Sequence, residues 1–141
     1  ASSRHDVFPL TLPSMAQFRT TRRIAGQTTL RDDQFNTHIP DSIGMTGDWR
    51  KRDIVWEIPY GALVPMGVQS LLVAGRCISS ETDAWEATRV IPPAALTGQV
   101  CGIAARLALA RKTTPDRLSA ADVQAELRRL HIPYHLSDIA G

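Results

Sequence analysis

The chain has 141 residues, the size of one domain, and its 43% hydrophobic content is ordinary for a globular protein with a real core. Sixteen Lys and Arg against fourteen Asp and Glu leave a formal net charge of +2 with no long run of either sign, which gives no support for nucleic-acid binding. The two cysteines, Cys77 and Cys101, lack metal-ligand spacing, so no metal is indicated, and no run reaches the ~18 apolar residues of a membrane span.

Free thiols and the lack of a signal-peptide pattern lead to the expectation of a reducing, cytoplasmic setting. Residues 1–16 are polar, hold two prolines and show no periodicity, so they read as an N-terminal arm that includes His5 and Asp6. Gln17 to Ala25 alternates, with Phe18, Thr20, Arg22 and Ile24 on one side and Arg19, Thr21 and Arg23 on the other. This predicts a strand, either part of a functional sheet or an exposed edge where charges discourage aggregation. A short helical piece is expected from Thr29 or Leu30 to Phe35, with Asp32 and Asp33 suiting its dipole.

His38 to Lys51 is rich in turn signals and reads as a loop, in which His38, Asp41 and Asp48 are either an acid/base set or solvated side chains. Asp53 to Glu57 alternates ahead of the turn Ile58-Pro59-Tyr60-Gly61, and Ala62-Leu63-Val64 resumes an extended path. Leu71 to Ala74, stopped by Gly75, reads as a short buried strand. Arg76 to Arg89 is expected to be an irregular connection. Pro92-Pro93 then opens a long helix to Ala110, with small or apolar residues on nearly every face, as in a buried helix. Gly98 and Gly102, one turn apart, leave a stripe that another backbone or a flat ligand can approach closely. Ser119 caps a last amphipathic helix carrying Val123, Leu127 and Leu130, and His131, Tyr134 and His135 fall in a surface tail.

Three stretches, in order, carry a resemblance: Arg19-Thr-Thr-Arg22-Arg23-Ile24-x-Gly26, Ile58-Pro59-Tyr60-Gly61-Ala62-Leu63-Val64-Pro65, and LLVAGRCIS with Arg89-Val90, Pro92 and ALTGQVCGIAARLA. Together they resemble the C-terminal FAD-binding part of FAD-dependent oxidoreductases of the glutathione-reductase-like superfamily. The resemblance implies a mixed α/β fold: the last strand and buried helix of a Rossmann-type FAD-binding fold (residues 67–112), part of a substrate-side sheet (residues 17–66) and a C-terminal helix and tail (residues 113–141). It also implies an FAD cofactor, approached by the helix through the backbone of Ala95, Leu96 and Thr97, with Gly98 permitting close contact.

In the wider superfamily the strand ends in Gly-Asp, whereas this chain has Gly75-Arg76. Arg76 is therefore expected either near the ribityl–pyrophosphate region, where a guanidinium binds phosphate as a fork, or in an ion pair with Asp83 or Glu86. Cys77 is either a covalent attachment point for the flavin or a small buried residue. The resemblance makes Arg22, Tyr60 and Arg89 the candidates for catalytic roles. Arg89 contacts substrate or flavin, or supports its loop through salt bridges; Tyr60 lines the flavin environment, or is a half-buried aromatic with a wet hydroxyl. Related proteins carry Arg-Glu-x-Arg in the first stretch, and Thr20 stands here in the Glu position.

The sequence has no G-x-G-x-x-G between a strand and a helix. A complementary chain carrying that nucleotide-binding half is therefore the expected partner. The two functional readings are a subunit of an FAD-dependent oxidoreductase moving hydride between a small organic substrate and FAD, and a structural or regulatory subunit that has lost the flavin.

Overall fold

The computed structural model describes residues 20–139. Its regular elements are β1 (Ser42–Gly47), β2 (Val55–Pro59), α1 (Thr82–Thr88), α2 (Ile91–Ala110) and α3 (Ala120–Arg129), linked by loops and short 3-10 turns. The mixed α/β class holds. β1 and β2 pair antiparallel, with Met45 opposite Glu57, Thr46 opposite Trp56 and Gly47 opposite Val55, and an irregularity between Ser42 and Met45. One apolar core runs from Leu30 through Ile43, Ile58, Leu63 and Ile78 to Val100 and Leu127.

β1 lies where turn signals predicted a loop. Gly44 misleads because its role is close approach rather than chain reversal: a Cβ built there would sit 2.2 Å from Leu96 Cδ2. The missing side chain lets α2 lie directly on the hairpin. α1 replaces the expected irregular connection, and its Ala84, Ala87 and Thr88 are buried. The predicted helix at Leu30–Phe35 shrinks to a 3-10 turn at Asp32–Gln34.

α2 starts at Ile91, before the two prolines. The expectation that it is buried on every side is corrected. Pro93, Thr97, Val100, Ala104 and Ala108 form its buried stripe, whereas Ala95, Gly98, Gly102 and Ala105 lie on an exposed face that ends in Ile91 (76% exposed) and Leu109 (81% exposed). The helix is long and apolar enough to cross a bilayer by length and composition alone. In this fold it is a core helix, with one side on β1 and α3 and Arg106 paired with Glu126 of α3. Ser119 caps α3 as expected, its Oγ accepting from the Ala121 amide at 3.2 Å. Asp122 does not close a capping box; its carboxylate pairs with Arg111.

The strand expected from Gln17 to Ala25 is not formed over its described part. Residues 20–25 belong to no strand, Thr20 to Arg22 are exposed, and residues 17–19 and the arm at 1–16 lie outside the described residues. Leu71–Ala74 also forms no ladder and is partly exposed rather than buried. Its Val73 amide donates to Leu63 O at 2.8 Å.

Candidate functional site

Three stretches of irregular backbone, far apart in sequence, are laced together here. The Gln27 amide donates to Val64 O (2.8 Å), Met66 to Ala25 O (2.8 Å) and Thr28 to Gly61 O (3.2 Å). On the other side Ile24 donates to Cys77 O (2.9 Å), Leu30 to Ser79 O (3.0 Å) and Ser79 to Ala62 O (2.9 Å). Sheet-like pairing thus exists without a formal sheet, and it satisfies backbone groups that burial would otherwise leave unpaired. Arg22-Arg23-Ile24-x-Gly26, Tyr60 to Pro65 and Ala74 to Ser79 all meet in this junction.

Gly75, Arg76 and Cys77 form a 3-10 turn at its edge. Gly75 has φ of +79°, a left-handed conformation that favours glycine. Its amide donates to Thr97 Oγ1 at 2.9 Å, and the same hydroxyl donates back to Pro93 O at 2.8 Å. Thr97 is fully buried and couples the turn to the first turns of α2. Beside this link an open cleft of about 450 Å³ is lined by Trp49, Arg76, Arg89, Val90, Ile91 and Pro92.

The two arginines in this cleft differ in character. Arg89 caps α1, and its Nε donates to Glu86 Oε2 at 2.8 Å, so its charge is compensated and it braces the loop. Arg76 directs its Nε to Arg89 O at 3.0 Å, and the Trp85 indole donates to Arg76 O at 2.8 Å. Neither acid considered for Arg76 is its partner. Glu86 is bound to Arg89, and Asp83 is held by Lys51 (3.1 Å) and Arg50 (2.9 Å), which keep its carboxyl below the usual range. Among the described residues Arg76 has no acidic partner, so its terminal nitrogens add positive charge to the cleft.

The helix start contributes less than expected. The first four amide positions of a helix lack internal partners. In α2 these are Val90, Ile91, Pro92 and Pro93, with Ala94 already donating to Val90 O at 3.2 Å. Only Val90 and Ile91 therefore have an N–H to offer. The amides of Ala95, Leu96 and Thr97 lie inside the helical ladder, and Gly98 is exposed with nothing within 4 Å of a built Cβ.

The remaining predicted residues are scattered. Arg22 is exposed on the chain leading into the junction. Tyr60 is buried, its hydroxyl donating to Pro115 O at 2.9 Å, and burial raises that hydroxyl's pKa well above its ordinary value. It does not line the cleft. In the loop set, Asp48 is clamped by Arg50 Nε at 3.0 Å and its carboxyl is lowered, while His38 lies near Glu57. Sequence reasoning missed Trp49, which is 70% exposed at the cleft, and Trp85; no local signal places either beside Arg76.

Cys77 is exposed rather than buried, and Cys101 is partly buried with its thiol pushed up to about 11 by desolvation. Cys77 should therefore react first with a thiol reagent near pH 8, and Cys101 slowly, because the thiolate is the reactive form. Mass-spectrometric mapping after limiting alkylation checks this order; preferential labelling of Cys101 would contradict the packing around α2.

The family model described as FAD dependent oxidoreductase matches residues 4–127. No curated protein and no solved structure matches the chain.

Proposed function

Because the chain belongs to the FAD dependent oxidoreductase family, we propose that it supplies the C-terminal, flavin-contacting part of a flavoprotein oxidoreductase. In this reading it belongs to the glutathione-reductase-like superfamily, and a second chain carries the G-x-G-x-x-G half. The observation that carries the reading is Arg76, a guanidinium with no acidic partner among the described residues, set in a cleft at the start of α2.

The donor set fits a phosphate-bearing cofactor. Arg76 offers a planar fork, its orientation fixed through Nε by the Arg89 carbonyl, and Val90 and Ile91 add two amides at the positive end of a helix dipole. Trp49 supplies an apolar wall. Arg89, neutralised by Glu86, positions Arg76 rather than binding the cofactor itself. When bound, FAD supplies the hydride-accepting ring, and the chain's residues hold its charged portion and exclude water along Trp49 and Ile91. The substrate is a small organic molecule that gives up hydride, with the acid/base group on the complementary chain.

The exposed face of α2 supports the second chain. It carries a stripe of apolar or small residues, Ile91, Ala95, Gly98, Gly102, Ala105 and Leu109, flanked by exposed Gln99 and Arg106, and such a stripe gains free energy when covered. Native mass spectrometry with a visible spectrum on material purified from its source tests the reading. A complex with a second chain and flavin bands at about 370 and about 450 nm is the expected result. A colourless monomer would overturn it.

A further inference from the structure

A second cluster shares no residue with the Arg76 cleft and does not depend on the flavin reading. It forms where the loop before β1, strand β2 and the C-terminal segment meet. His135 Nδ1 lies 2.8 Å from Glu57 Oε2, and His38 Nδ1 points at the same oxygen from 3.8 Å. The two imidazole centroids are 4.4 Å apart. One ligand atom from each of the three residues can be chosen so that all lie within 4.8 Å of one another.

The carboxylate is held in place. The Ile39 amide donates to Glu57 Oε2 at 2.8 Å and the Leu136 amide to Oε1 at 2.7 Å, so the residue following each histidine anchors the acid between them. The Glu57 side chain is 1% exposed, whereas His38 is 64% exposed and leaves the cluster open on one side. A single hydrogen bond from His135 would satisfy this geometry without His38, whose nitrogen is too distant for one. A tetrahedral zinc with bonds of about 2.0–2.2 Å sets its ligand atoms roughly 3.3 Å apart. The observed separations of 2.8 Å and 3.8 Å bracket that value.

We propose that His38, Glu57 and His135 bind zinc or a similar first-row divalent cation. Two imidazoles and one carboxylate suit such ions, and water completes the coordination on the open side beside His38. The Ile39 and Leu136 amides act as outer hydrogen bonds that orient the carboxylate. The bound ion ties the C-terminal segment to β2 and to the loop before β1. No sequence motif announces the site, because the two histidines lie near opposite ends of the described chain.

The test is calorimetric titration of Zn²⁺ into the untagged, metal-stripped full chain, together with thermal melts. One Zn²⁺ per chain at micromolar or tighter affinity is expected, with a raised melting temperature. His38→Ala and His135→Ala should each weaken binding by roughly tenfold or more, while His131→Ala leaves it unchanged. His38 is exposed, so its alanine variant should keep the wild-type circular dichroism spectrum and lose only the zinc-induced rise in melting temperature. No binding in the micromolar range, or binding indifferent to both His38→Ala and His135→Ala, would overturn the site.

Discussion

Gly26→Val is expected to lower stability by about 3 kcal/mol or more, read as a fall in melting temperature on the order of 10 °C. A Cβ built at Gly26 would sit 2.7 Å from Gly61 O, 2.7 Å from Ser79 Cβ and 2.9 Å from Thr28 O. Two of those atoms are backbone carbonyls in the laced junction, so no side-chain rotation relieves the clash. Relief requires the Gly61–Pro65 segment to move away from residues 25–28, which breaks the bonds from Gln27 to Val64 O and from Thr28 to Gly61 O. The loss has a functional consequence, because the same junction carries Ile24 to Cys77 and so fixes the turn that presents Arg76. Thermal melts of the chain with valine at Gly26 and, separately, at the exposed Gly98 provide the comparison. Equal melting temperatures for the two variants would refute the packing at Gly26.

The contrast between these glycines shows what local pattern can and cannot convey. α2 and α3 were legible because their signals are local: small and apolar residues sustained over several turns, prolines in the first turn, and Ser119 ahead of an amphipathic repeat. The turn signal at Ile58-Pro59-Tyr60-Gly61 was legible only in part: Ile58 and Pro59 close β2, and the 3-10 segment Tyr60–Leu63 takes Ala62 and Leu63 out of the expected extended path. β1 was not, because Gly44 and Gly47 are turn signals unless one knows that α2 presses on the hairpin at Gly44. The segments before Gly26 and before Gly75 read as strands by pattern, but their backbone bonds go to irregular partners rather than into a ladder.

The site divides along the same line. Motif order points to Arg76 and Arg89, and these share a cleft, whereas Ala95, Leu96, Thr97 and Gly98 do not line it; Val90, Ile91 and Pro92 do. The fate of Arg76 depended on how the nearby acids are shared out, and Arg50, Lys51 and Arg89 take them. Trp49, and the meeting of His38, Glu57 and His135, arise only from tertiary folding. A tail histidine gives no local hint that a buried glutamate from β2 awaits it.

Gly98→Val is expected to separate the chain's own stability from its assembly. In the chain alone a Cβ at Gly98 meets nothing within 4 Å, and the position lies on the exposed face of α2. Valine is, if anything, a slightly better helix former than glycine, so stability should stay within about 0.5 kcal/mol. The assembled flavoprotein proposed above should respond differently. If the stripe of Ala95, Gly98, Gly102 and Ala105 receives another backbone or the flavin, a branched side chain at its centre holds the two surfaces apart and forfeits their dispersion contacts. We expect at least a roughly tenfold loss of flavin retention or of partner affinity, with the melting temperature of the isolated chain unchanged, since a van der Waals surface forced open by a side chain loses more than 1.4 kcal/mol. Arg76→Ala supplies the complementary result: it removes charge from the cleft without touching the stripe, so it should weaken flavin retention while leaving partner affinity largely intact. Flavin absorbance and native mass spectrometry of the same purified samples read both quantities. Full flavin retention and partner affinity in the Gly98→Val complex would mean that the stripe faces solvent in the working enzyme, and that the complementary half docks elsewhere.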